Sequence, residues 1–170
     1  MTLKNLFDAF LALIESDEWE AVNEGASLTE EEQEAADKAM DEDLLSIAKA
    51  AKPWFKFPRC SINWDETAVN AGENADKVNF IKANPEDPDI TNTEIQILAA
   101  FMKMIWYGRV IDSWENLRPL YTERDFSPGK MLAEFKGRAA DQKKNALDLE
   151  RVYYRSINGK PFDFSKLAGG

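Results

Sequence analysis

The chain has 170 residues and a formal net charge of −10 at pH 7, with 31 acidic residues, 21 basic residues and no histidine. A chain of this length forms one domain by default and can bury most of its apolar surface. Without histidine, Ser-His and Cys-His nucleophile pairs and most zinc and iron sites are excluded, so we expect no enzymatic activity and no cofactor.

The acidity belongs to the N-terminal region. The first 47 residues hold 14 acidic and 2 basic residues, a balance of −12, so the remainder holds 31 − 14 = 17 acidic and 21 − 2 = 19 basic residues. An acidic surface argues against ordinary nucleic-acid binding, because contacts to phosphate need Lys and Arg. It suits a basic protein partner, or a surface along which DNA passes without sticking.

Neither a membrane span nor secretion is expected. Lys103 and Arg109 interrupt the most apolar segment before it reaches the length of roughly 18 residues that a transmembrane helix needs. The first residues lack a basic stretch followed by an apolar block, so they do not resemble a signal peptide. The single cysteine, Cys60, cannot form an internal disulfide, which is typical of a reducing compartment.

Two helices are predicted in the N-terminal third. Apolar residues at helical spacing from Leu3 to Ile14 predict a first helix that ends between Glu15 and Trp19. Thr29 and Glu32 then have the spacing of a capping box, and the pattern that follows predicts a second helix. Its first residues are acidic, as the helix dipole favours, and the simplest interpretation is a solvated helix start. These acidic residues are Glu30, Glu31, Glu32 and Glu34.

A long irregular excursion follows, from about residue 53 to residue 90. Pro53 ends the second helix, and the segment Phe55–Arg59 should be extended because proline disfavours helix at the residue before it. Phe55 and Phe57 would then point to the same side and pack onto the bundle. Residues 63–88 are rich in Asn, Asp, Pro and Gly, and we expect only a short helix near Asp76–Ile81.

The most apolar segment predicts a central helix from Asn92 to about Leu117, roughly 36–39 Å long. Thr91 and Glu94 form a capping box at its start. Apolar residues surround most of this helix, so we expect it at the centre of the core. They are Ile95, Ile97, Leu98, Phe101, Met102, Met104, Ile105 and Trp106.

A last helix is predicted from Lys130 to about Ile157, with Ser127 as the N-cap and Pro128 at the first helical position. Asn158-Gly159 is a good helix stop. The chain is therefore expected to be all-α, a bundle of about four main helices that forms a single domain over residues 1–159. The residues expected to face inward are Met131, Leu132, Phe135, Ala139, Ala146, Leu149 and Val152.

Residues 160–170 are expected to form an extended C-terminal arm. Pro161, Phe162, Phe164 and Leu167 make this tail too apolar for a frayed end. An extended arm can dock on another subunit through main-chain hydrogen bonds and aromatic anchors. The tail can equally fold back on its own bundle.

No catalytic constellation is recognisable. Asp37 and Asp41 have helical spacing, but no second motif makes a metal or hydrolase site persuasive. Residues 87–89 lack the rest of a calcium loop, and no glycine-rich phosphate loop is present. Basic residues of the last helix, with Tyr153 and Tyr154 nearby, could touch nucleic acid, although a solvated face is the favoured interpretation.

The order of these blocks resembles a family of tailed-phage virion proteins from the head–tail neck, described as head–tail connector or adaptor proteins. The resemblance covers most of Leu3–Leu149. The chain departs from the family pattern in its Glu-rich second helix start, in a longer excursion over Asn63–Pro88 and in its C-terminal tail. Five blocks carry the resemblance: the apolar start and acidic turn of Leu3–Glu20, Phe55–Arg59, Thr91–Ala99 followed by Met102 and Trp106, Arg109–Asn116, and Asp125–Ser127.

The resemblance implies a small structural subunit that lies in the neck of the virion, and in the host cytoplasm during assembly. It implies a homo-oligomeric ring of about twelve copies between the portal protein and downstream neck or tail proteins, through which DNA passes without specific binding. In such an assembly Phe162, Phe164 and Leu167 would anchor the arm in a neighbouring ring or in the portal protein. The acidic residues at the start of the second helix, Glu30, Glu31, Glu32 and Glu34, would be candidates for facing the channel.

Two other classes of protein remain open. The acidic N-terminal region also suits an inhibitor that mimics DNA and binds the basic groove of a nucleic-acid-binding enzyme. A carboxylate-dependent metalloenzyme is the third class, and it predicts that a metal ion would stabilise the protein against heating.

Overall fold

Helices dominate the computed structural model, which describes the backbone of residues 1–15, 29–117, 128–157 and 160–161 and the side chains of 1–14, 29–113 and 132–156. The predicted all-α helical bundle is confirmed, with four long helices and one short helix in these ranges. They are α1 (Leu3–Glu15), α2 (Glu30–Ala51), α3 (Glu66–Asn70), α4 (Asn92–Leu117) and α5 (Pro128–Arg155).

Helix α4 lies at the centre of the bundle, as its apolar sequence predicts. Helices α1, α2 and α5 all pack against it, and Leu98, Phe101 and Met102 are fully buried. The predicted capping box forms: the Thr91 backbone N–H donates to Glu94 Oε2 at 2.8 Å, and the Glu94 N–H donates to Thr91 Oγ1 at 3.4 Å. The cap and the apolar girth together explain why this segment is a single long helix.

The second half of helix α2 packs in the core, whereas its first half is exposed to solvent. We call the exposed residues, 30–40, the free half. The predicted capping box at its start is present, because Thr29 and Glu32 exchange hydrogen bonds through their side chains and backbones. Every residue from 30 to 40 is exposed, which amounts to about 16 Å of helix outside the core. The buried residues all lie in the second half: Leu44, Ile47, Ala48 and Ala51.

The excursion contains a small antiparallel sheet of β1 (Asn63–Trp64) and β2 (Phe80–Ile81). The helix predicted near Asp76–Ile81 is wrong, because the backbone there bonds to β1 and to the N-terminal residues instead. The short helix forms earlier, as α3. Asp65 caps it by accepting from the Thr67 N–H at 2.9 Å, and that cap signal was present in the sequence.

The Phe55–Arg59 segment runs along the C-terminal part of α5, beyond a short 3₁₀ turn at Lys52–Trp54. Phe55 is buried against Phe101 and Tyr153, as predicted. Phe57 was predicted to pack onto the bundle beside Phe55, but it is not buried with Phe55: its side chain is 54 % exposed, and its ring contacts that of Tyr154 on the outside of α5.

Helix α5 begins at Pro128 as predicted and ends at Arg155, close to the predicted end. Ala146 is buried, but the inward positions predicted for Leu149 and Val152 are wrong, since these side chains are 41 % and 69 % exposed. Glu150 and Tyr153 are buried in their place, because their polar atoms bond to the segment that crosses the helix. The predictions for Ser127 and for the Met131 side chain lie outside the described residues.

After α5 the chain reverses. Strand β3 (Ser156–Ile157) pairs antiparallel with β4 (Lys160–Pro161), and Pro161 lies opposite Ser156. The predicted stop at Asn158-Gly159 and the predicted anchors Phe162, Phe164 and Leu167 lie outside the described residues, so they stay predictions.

Candidate interaction surfaces

A buried carboxylate, Glu94, joins α4, α5 and the segment that precedes them. Its side chain is 1 % exposed, and both of its oxygens accept hydrogen bonds. Oε2 accepts from the Thr91 N–H at 2.8 Å and from Thr91 Oγ1 at 3.0 Å. Oε1 accepts from the Arg59 N–H at 3.2 Å and from the Tyr153 hydroxyl. The charge is therefore fully solvated by protein donors, as a buried carboxylate requires.

The ionisation states of Glu94, Tyr153 and Cys60 make this buried cluster chemically unreactive at neutral pH. Burial raises the pKa of Glu94, but the hydrogen bonds from Tyr153 and Thr91 outweigh burial and hold the pKa below its ordinary value. Burial and the bond to Glu94 raise the pKa of Tyr153. Burial and the same carboxylate raise the pKa of Cys60 to about 12. The thiol therefore stays protonated and is not a nucleophile.

A second buried carboxylate fixes the backbone of the same segment. Glu150 Oε1 accepts from the Lys56 N–H at 2.6 Å and from the Phe57 N–H at 2.9 Å. Arg59 adds a bond from Nη2 to the Tyr153 carbonyl at 3.0 Å, and its guanidinium lies 4.7 Å from the centre of the Tyr153 ring. Glu150 of α5 and Glu94 of α4 thus accept the backbone N–H groups of residues 56, 57 and 59, which a neighbouring strand would otherwise accept.

The four acidic residues predicted as channel-facing lie together and exposed at the start of α2: Glu30, Glu31, Glu32 and Glu34. Glu32 is engaged in the cap, and its hydrogen bonds with the Thr29 backbone and side chain lower its pKa. The other three carboxylates have no described hydrogen-bonding role in the fold. The structure leaves this turn accessible, and which surface it faces in an assembly stays a prediction.

A groove of about 390 Å³ lies between α1, the middle of α2 and residues 74–76. We call it the acid-rimmed groove. Asp41 connects α2 to residues 74–76 by accepting from the Ala75 N–H at 3.0 Å, and Lys4 pairs with Asp8 on the α1 side at 3.1 Å. Its apolar floor consists of Phe7, Leu11, Met40 and Leu44, and its acidic rim of Asp8, Asp37, Asp41 and Asp76.

A protruding pair of rings lies at the other end of the bundle. Phe57 and Tyr154 stack with ring centres 5.2 Å apart, and Tyr154 is 63 % exposed. We call this pair the aromatic knob. Three exposed cations adjoin it along the chain: Lys56, Arg151 and Arg155. Sequence proximity had grouped Tyr153 with Tyr154, but the structure buries Tyr153 and presents Tyr154 to solvent.

Within the described ranges, no group of three or more His, Cys, Asp or Glu side chains is arranged to hold a metal ion. Asp37 and Asp41 line the groove as separate rim residues. None of the described helices combines the length and the apolar character that crossing a bilayer requires. Comparison of the chain with protein-family models, with curated proteins and with solved structures finds no match.

Proposed function

We propose that this chain is a structural subunit of the head–tail connector of a tailed phage. In this role it assembles as a ring between the portal protein and the tail components and forms part of the channel for DNA. The observation that carries the proposal is the bond between two blocks of the family resemblance. The Arg59 N–H of the Phe55–Arg59 block donates to Glu94 of the Thr91–Ala99 block at 3.2 Å.

This bond makes the two blocks one structural unit rather than two independent short motifs. Glu94 belongs to the cap of α4 and at the same time accepts a bond from the extended segment, so the two blocks are joined in the folded chain. Their occurrence together in one chain is therefore better explained by a shared fold than by chance.

The charge distribution supports the passage of DNA through such a ring. The free half of α2 exposes Glu30, Glu31 and Glu34, none of which is paired with a described cation. Carboxylates at a channel surface repel phosphate and prevent DNA from adhering. We place these side chains toward the channel in the proposed ring.

Deleting residues 160–170 tests the role of the C-terminal arm in assembly. The truncated chain should remain helical and folded, because the described core lies within residues 1–153, and it should no longer assemble. A full-length variant with Phe162→Ala, Phe164→Ala and Leu167→Ala is the matched control for chain length, and it should behave like the truncation. Unchanged assembly of both variants, measured by analytical ultracentrifugation, would contradict the arm's role.

A second candidate function is an acidic inhibitor that mimics DNA. The same exposed start of α2 favours it, since the carboxylates rise along one helix at about 1.5 Å per residue without cations between Glu30 and Asp37. A pull-down against portal protein, compared with one against basic nucleases, distinguishes the two functions. Capture of the portal alone supports the connector, and capture of a nuclease alone supports the inhibitor.

A further inference from the structure

Two surfaces of this molecule are complementary in chemical character. The aromatic knob presents exposed apolar rings with Lys56, Arg151 and Arg155 beside them. On α5 these two arginines and Tyr154 fall within an arc of about 100°. The acid-rimmed groove presents an apolar floor inside a rim of four aspartates. The knob is therefore mainly cationic, with Arg151 also paired to Asp148 at 2.8 Å, and the groove is mainly anionic, with Lys4 paired to Asp8 at its edge.

We infer that the aromatic knob of one copy of this chain docks in the acid-rimmed groove of a second copy. The inference rests on the proposed ring and adds a second contact to the one proposed for the C-terminal arm. The two surfaces do not cover one another within one molecule, because Phe57, Tyr154, Asp37 and Asp76 are all exposed in the same structure.

The connectivity of the bundle keeps the two surfaces apart. Helices α1 and α2 form the groove, whereas α5 and the segment before Arg59 form the knob, and all three helices pack on α4. A contact between two different patches is heterologous. A row of copies joined in this way leaves one knob open at one end and one groove open at the other. Repetition of such a contact gives a closed ring when the rotation closes.

The aromatic and charged parts of the contact have different effects. Exposed Tyr and Arg side chains that become buried in a pocket dominate the affinity of interfaces, so Tyr154 is the expected anchor. The Asp and Arg side chains remain near the rim of the contact. They set the orientation and the association rate, and salt screens them. Association should therefore weaken as ionic strength rises.

This docking turns Glu31 and Glu32 of the proposed channel-facing residues away from the neighbouring copy. Asp37 and Asp41 lie on the side of α2 that lines the groove. Glu30 and Glu34 project within roughly 40° of the mean direction of these two aspartates, whereas Glu31 and Glu32 lie roughly 100° and 160° around the helix from it.

Reciprocal charge reversal tests the contact. One variant carries Asp37→Lys with Asp76→Lys, and the other carries Arg151→Glu with Arg155→Glu. Each variant alone should stay monomeric, because its knob and its groove then no longer carry opposite net charge. An equimolar mixture should assemble, because unchanged arginines of the first variant meet unchanged aspartates of the second, and the reversed pair also matches.

Matched controls keep general charge effects apart from docking. The pair Glu86→Lys with Asp141→Lys makes the same charge change at exposed residues outside both surfaces, and it should assemble as the wild type does. Tyr154→Ala should weaken association by roughly tenfold or more, whereas Val152→Ala, at an exposed site on the other side of α5, should not. Circular dichroism verifies that each variant is folded.

The outcomes separate this contact from the proposed function. Reversal variants that assemble alone as well as the wild type would overturn the contact and leave the ring proposal standing. Variants that stay monomeric even when mixed would also overturn it. Capture of the chain by portal protein, with assembly blocked by either reversal and restored by mixing, supports both.

Discussion

Glu94 shows how one side chain can hold three parts of a fold together. Its position as the third residue of a helix with a threonine cap predicts the bonds to Thr91, and the structure confirms them. The bonds to Arg59 and Tyr153 could not be predicted, because those residues lie 35 and 59 positions away in the chain. Local spacing reveals a cap, but it does not reveal which distant donors reach the second oxygen.

Replacing Glu94 by Gln should destabilise the protein by roughly 2–3 kcal/mol, because an amide cannot accept four bonds and one buried donor is left unpaired. The matched control is Glu32→Gln, which changes the same position of the exposed capping box on α2 and should lower stability much less. Urea unfolding measures both variants. Equal losses at the two positions would contradict the role assigned to the buried cluster.

Acid should remove the stabilisation that Glu94 provides. Its pKa is lower in the folded protein than in the unfolded chain, so its contribution is present above the unfolded pKa and is lost as pH falls through the folded pKa. Wild type and Glu94→Gln should therefore differ most near pH 7 and converge in acid. A difference in unfolding free energy that stays constant from pH 7 to about pH 3 would contradict this assignment.

At the scale of elements, long apolar helices were predicted well and crossing segments were not. The bounds of α4 agree with the prediction because its cap, its apolar girth and its length all favour the same helix. The inward face of α5 was predicted one position away, at Leu149 and Val152 instead of Glu150 and Tyr153. The spacing of apolar residues assigns the inward face of a helix by hydrophobicity alone. It therefore cannot predict a buried glutamate that binds two backbone N–H groups.

The two halves of α2 should differ in local stability. Amides of residues 34–40 should exchange with solvent much faster than those of residues 47–51, because only the second half buries side chains. Hydrogen exchange on the monomeric protein measures this difference, with the buried centre of α4 as the slow reference. Equal protection along the whole of α2 would mean that another part of the chain covers its first half.

At the scale of the whole molecule, acidic and basic side chains lie on different parts of the surface of the bundle. The start of α2 and the groove beside it carry mostly negative charge, whereas the aromatic knob has exposed cations next to it. Composition had located the acidity in the N-terminal region, but the groove depends on α1, α2 and the excursion meeting in space. Sequence alone could not place Asp76 beside Asp37, because the excursion was expected to be weakly structured.

Electron microscopy of the purified protein at low ionic strength tests the central claim most directly. The proposed connector role and the contact between knob and groove predict closed rings with an open centre, and they predict that the rings dissociate as salt is added. Particles that remain single copies at every concentration and ionic strength, in the presence of portal protein as well as without it, would contradict the account.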